Sequence, residues 1–146
     1  VDVNQYDYIR LPLKDTWGVL MRKDSPLAEK ESITAEDLWD KPLIISHQTS
    51  INSEMFSWLK TDITKLNIVA TYDLVYNASL FVKKGFGYVI ALDKLINTTG
   101  DSALCFRPLY PALKAGLCII WKKYQVFSRA SNAFLQQLKT ELENMA

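Results

Sequence analysis

Between residues 43 and 92 this chain alternates short apolar runs with short helical stretches, and that alternation restricts the fold more than any other feature. Leu43-Ile44-Ile45, Asn67-Ile68-Val69-Ala70-Thr71 and Tyr88-Val89-Ile90-Ala91-Leu92 have the length and apolar character of strands. Between them, Ser53 to Leu59 places Met55, Phe56 and Leu59 on one helical face, and Asn77 is positioned to cap a helix carrying Leu80, Phe81 and Lys84 that stops at Gly85-Phe86-Gly87. Strands that alternate with helices at this spacing predict an α/β fold: a mostly parallel sheet joined by right-handed crossovers and flanked by helices.

The flanking segments extend this pattern. Trp17 to Met21 reads as a strand ending at Arg22-Lys23-Asp24 and a Ser25-Pro26 turn. Thr34, with Asp37 three residues on, predicts a capped short helix that Pro42 terminates. Further strands are expected at 103–108 and 117–121. A final helix is expected from about Ser128 to Glu143, with Ala130, Phe134, Leu138 and Leu142 as an apolar stripe that something must cover. Trp39 and Trp58 are anchors either for the core or for a partner lobe.

Composition excludes several function classes. Seventeen Lys and Arg balance sixteen Asp and Glu, a net charge of +1 that supplies no field for holding phosphates. No apolar run reaches the length of a membrane span. The start, Val1-Asp2-Val3-Asn4, has no initiating methionine and no signal-peptide pattern, which suggests a piece of something longer. Cys105 and Cys118 lie in apolar runs and are expected to be buried free thiols, although spacing alone leaves a disulfide open. No metal site and no cofactor are expected. His47 is the only histidine, and Gly85-Phe86-Gly87 lacks the third glycine and the strand-before-helix order of a dinucleotide fingerprint. With no nucleophile turn, His47 lacks the partners of a catalytic base and the chain is not expected to be an enzyme.

Several segments in register resemble the effector-binding domain of LysR-type transcription regulators. They are Trp17 to Ala28, ending in Asp24-Ser25-Pro26-Leu27-Ala28; Asp37-Leu38 with Pro42-Leu43-Ile44; Asn77-Ala78-Ser79-Leu80-Phe81-Val82-Lys83-Lys84-Gly85-Phe86-Gly87-Tyr88-Val89-Ile90; Leu104 to Leu109; Gly116 to Lys122; and Phe127-Ser128 before the last helix. The resemblance implies a periplasmic-binding-protein-like (type II) fold, two α/β lobes joined by crossing strands. Residues 1–21 would then hold part of the first lobe and the first crossing, 22–108 a complete second lobe, and 109–146 the return strand and the first lobe's terminal helix. The family's helix-turn-helix and the first half of that lobe would precede residue 1.

What the resemblance implies for function is a cytoplasmic bacterial sensor of a small effector, self-associating as a dimer or tetramer and meeting DNA only through a separate domain. A periplasmic solute-binding protein of a transporter is the alternative use of the same fold. Because open α/β sheets bind ligands at the carboxyl ends of their strands, two loops are candidates. The first holds Ser46, His47, Gln48 and Thr49, neutral hydrogen-bonding residues before a helix start, for which an anion is the first expectation. The second, Tyr72 to Asn77, offers Tyr76 and Asn77. Two readings stand for each loop: effector contact, or helix capping and packing.

The charge balance makes one prediction independent of the fold. In a gel shift at physiological salt, this chain leaves a promoter duplex unretarded at micromolar protein; submicromolar binding would contradict it.

Overall fold

A computed structural model of the chain describes residues 2–48 and 53–145. Its strands are β1 (Tyr6–Arg22), β2 (Leu43–Ser46), β3 (Ile68–Tyr72), β4 (Tyr88–Leu92), β5 (Leu104–Pro108) and β6 (Lys114–Lys122). Its helices are α1 (Ser53–Leu59), α2 (Val75–Lys83) and α3 (Arg129–Met145). The chain divides into two compact units, Thr16–Lys114 and Val1–Asp15 with Ala115–Ala146. β1 contributes residues to both.

In the Thr16–Lys114 unit the strand order is β3-β2-β4-β1-β5. β2 runs parallel to both β3 and β4, which is the parallel block that the alternation predicts. β1 is antiparallel to β4 and β5, so the sheet as a whole is mixed and β1 alone opposes the other four strands. Burial on both faces explains the continuous apolar runs. Val19, Met21, Leu43, Ile45 and Ile90 enter one core, beneath α1 and the 3-10 turn at Glu36–Leu38. The residues between them, Leu20, Ile44, Val89 and Ala91, enter a second core against Ala78 and Val82 of α2.

Several local expectations need correction. The helix expected after Thr34 is only the 3-10 turn Glu36–Leu38, because Pro42 and β2 follow too soon for a longer element; Asp37 still accepts from the Thr34 N–H at 3.0 Å. α2 begins three residues earlier than expected. Leu74 is its N-cap and makes no side-chain cap, while Asn77 lies inside the first turn with its N–H donating to Leu74 O at 3.1 Å. The buried face is accordingly Ala78, Ser79 and Val82, and Leu80 and Phe81 are exposed. Beyond α2, Gly85 at φ +82° turns the chain into β4, a backbone conformation for which glycine is the default. Trp39 and Trp58 tie the unit to itself, donating their indole N–H to Leu59 O at 3.0 Å and Pro111 O at 2.7 Å.

In the other unit β6 pairs with β1, and the Lys123 N–H donates to Gln5 O at 2.9 Å. β6 alternates in burial, with Leu117, Ile119 and Trp121 inward. Cys118 therefore faces outward, against expectation, while Cys105 in β5 is buried; both are free thiols. None of the α3 residues is fully buried. A spacing of four residues drifts about 40° per step around an α-helix, so the expected stripe does not stay on one face. Ser131, Leu135, Leu138 and Leu142 form the half-buried side, and Phe134 is 61% exposed.

Gly18 and Gly116 provide a matched test of this packing. A Cβ at Gly18 would lie 2.5 Å from the Arg107 carbonyl oxygen on β5, whereas one at Gly116 would meet nothing within 4 Å. Gly18→Ala is expected to destabilise by about 1–3 kcal/mol through overpacking, and Gly116→Ala to stay within about 0.5 kcal/mol. Paired denaturant melts measure both.

Candidate functional site

The parallel strands β2, β3 and β4 end at similar heights, and a cavity of about 460 Å³ opens there. Ser46 and Gln48 enter it from the end of β2, Tyr72 and Asp73 from the end of β3, and Leu92 and Leu95 from the end of β4. Trp17 closes a further side from β1, where it stands opposite Leu92 in the antiparallel register. Leu74 and Val75 carry the wall into the start of α2.

Local hydrogen bonds explain how this wall is held. His47 donates its N–H to Tyr72 O at 2.9 Å, continuing the β2–β3 pairing one residue past the strand. Ser46 Oγ accepts the Gln48 N–H at 3.2 Å, which folds the loop back over the strand end. The Tyr72 hydroxyl reaches past β2, which lies between β3 and β4, and donates to Ile90 O at 2.9 Å. Burial pushes this phenol up to about 12, so at neutral pH it is a protonated donor. Trp17 is pinned on the other side by its N–H to Leu113 O at 2.9 Å and by the Leu109 N–H to its own carbonyl at 3.0 Å.

The expected loop residues fall in different places. Ser46 and Gln48 line the cavity, and His47 is exposed on the same loop. Thr49 lies outside the described residues. Asn77 lines an adjoining cavity of about 390 Å³ between Ile44 and Ala70 of the sheet and Phe81 of α2, which shares Tyr72 and Asp73 with the first. Tyr76 lines neither of these cavities and is 64% exposed; its carbonyl accepts from Ser79 Oγ at 2.6 Å. Trp17, Leu92 and Leu95 lie outside both candidate loops, while Tyr72 and Asp73 open the second loop, of which only Tyr76 and Asn77 were expected as contacts. The strand-end rule, applied also to the segment after β4, would have found Leu92 and Leu95, whereas Trp17 enters from an antiparallel strand that the rule does not cover.

The electrostatics of the described lining are simple. Asp73 is its one carboxylate, and no Lys or Arg is among it. Ser46 and Tyr72 already have hydrogen-bond partners in the protein. Among the described residues, no group of three or more His, Cys, Asp or Glu side chains is arranged to hold a metal ion, and no helix is long and apolar enough to cross a membrane.

Comparison with solved structures gives the same fold. The effector-binding domain of QuiR, in complex with shikimate, matches with a TM-score of 0.78 at 17% identity over 98% of this chain and 68% of that one. The CcmR regulatory domain of Synechocystis PCC6803, in complex with 2-PG, matches at 0.71 and 18% identity over 99% and 71%. HinK, a LysR family transcriptional regulator from Pseudomonas aeruginosa, matches at 0.70 and 16% over 94% of this chain and 49% of its own, so this chain spans about half of that regulator. No curated protein matches in sequence. The family model of the LysR substrate binding domain matches residues 2–143, nearly the whole length, and the chain belongs to that family.

Proposed function

We propose that this chain is the effector-sensing part of a bacterial LysR-type transcription regulator, and that the cavity at the ends of β2, β3 and β4 is the surface on which it receives a small molecule. The observation that carries the reading is the convergence of three strand ends on one cavity, the place where open α/β sheets bind their ligands. Two structural relatives, QuiR and CcmR, are described with small molecules bound. The lining is suited to binding more than to chemistry, because the Ser46 and Tyr72 hydroxyls are already engaged in holding the loops. Proposed contacts are Ser46, Gln48 and Thr49, with His47 at the rim. Tyr76 and Asn77 belong to the proposal as the second loop's contribution, by way of the adjoining cavity.

Trp17 forms part of the proposed surface from the antiparallel strand. It faces the cavity and lies two residues past Asp15, where β1 passes from one unit to the other. In the whole protein, a separate domain meets DNA, the regulator self-associates as a dimer or tetramer, and it resides in the cytoplasm. The regulator reading is preferred to the transport alternative because the matching family model is that of the regulator's domain.

A metabolite screen by thermal shift tests the proposal, since a ligand at about a hundred times its Kd stabilises by about 2.7 kcal/mol. For a hit, Thr49→Ala and Gln48→Ala should each weaken binding by about 1–2 kcal/mol in calorimetric titration, with smaller changes in Tm. Unchanged affinity with a lowered Tm would mark these residues as loop structure only. Asn77→Ala separates the loops: lost affinity includes the second loop, and unchanged affinity confines the contacts to the first.

A further inference from the structure

We infer that Asp73 selects the effector by accepting a hydrogen bond from it, so that the ligand carries a donor group, a hydroxyl or an ammonium, on an apolar body. The inference rests on the binding surface proposed above and assigns its ligand class. Asp73 follows directly on Tyr72, at the end of β3, and lines both cavities. Its carboxylate makes no hydrogen bond or ion pair to any described residue, in contrast to the hydroxyls of Ser46 and Tyr72 beside it. Asp73 is exposed and its carboxylate, acceptor-only when ionised, is otherwise met by water, so a ligand group that displaces that water is favoured if it donates.

The surroundings sharpen the selection. Trp17, Leu92 and Leu95 give the cavity an apolar side, suited to a ring or short hydrocarbon. No described lining residue is a lysine or arginine that could neutralise Asp73 or hold an anion against it. The positive end of α2 does not favour an anion here either, because Asp73 stands two residues before Val75, the first residue of that helix, and its own charge offsets the dipole. The Gln48 side chain, which also makes no described hydrogen bond, is left to recognise a second polar group. This pattern departs from the anion expected from the loop sequences, since a carboxylate placed at Asp73 would meet like charge.

A matched series on one apolar body separates the possibilities: 2-phenylethylamine, 2-phenylethanol and phenylacetate, titrated into this chain and into Asp73→Asn while amide resonances of Ser46, Gln48 and Tyr72 are followed. In the wild type the amine is expected to bind about fivefold more tightly than phenylacetate, the size of an exposed charge interaction, with the alcohol between. In Asp73→Asn, whose amide is neutral and can both accept and donate, that spread should collapse to about twofold. An amine ranked above the alcohol assigns an ammonium, and equal binding of the two, both ahead of the acid, assigns a hydroxyl. Phenylacetate binding as tightly as the others, or the same spread in Asp73→Asn, would overturn the role of Asp73 and leave the binding surface standing. If none of the compounds moves those resonances, the binding surface itself is refuted and the role of Asp73 falls with it.

Discussion

Burial of the central strands on both faces is the constraint on which the Thr16–Lys114 unit depends. Backbone polar groups in such strands have no access to water and must be paired along the ladder, and every side chain must be apolar and fit one of two cores. β2 and β4 meet both demands, which is why Leu43, Ile44 and Ile45 are all buried although they point alternately to opposite faces. The same demand ends at the carboxyl termini of the strands. There the chain turns away, the residues become polar, and the space between the departing loops becomes the cavity.

Tyr72 links the two regimes. Its ring packs against the second core, and its hydroxyl reaches past β2 to donate to the Ile90 carbonyl of β4. Burial of the phenol raises its pKa, so one side chain packs in the fold and contributes a surface to the cavity. Trp17 has a comparable double role on β1, fixed by backbone hydrogen bonds to Leu113 and Leu109 while its side chain faces the cavity. Groups held this firmly provide a preformed wall for a ligand. The side chains of Gln48 and Asp73, which make no hydrogen bond to a described residue, are left for recognition.

Much of the element order was legible because each strand is a continuous apolar run bounded by turn residues, and Gly85-Phe86-Gly87 marks the end of α2 unambiguously. The face of a short helix was harder to read. In α2, nine residues, apolar side chains occur on both sides, and the side that meets the sheet is Ala78, Ser79 and Val82, not the expected Leu80 and Phe81. The outward Cys118 was misread for a related reason: an apolar run does not reveal whether both faces of its strand are covered, and in β6 alternate residues remain exposed. For the site, the loop after β2 was visible as a polar stretch between a strand and a helix. Asp73 lay in the second loop without a signal of its own, and Trp17 carried none.

The sequence by itself determined the α/β class, the order of the elements and the family, because these follow from hydrophobic periodicity, turn chemistry and motifs within a few residues of one another. Only the tertiary structure decided which residues share the cavity. Strand neighbours in the sheet, β3-β2-β4-β1, differ from neighbours in the chain, so Trp17, Ser46, Tyr72 and Leu92, separated by dozens of residues, meet at one end through ladder hydrogen bonds that no local pattern encodes. The antiparallel insertion of β1 was decided at the same level. Its direction depends on which edge of β4 is left open for pairing, a property of the assembled sheet.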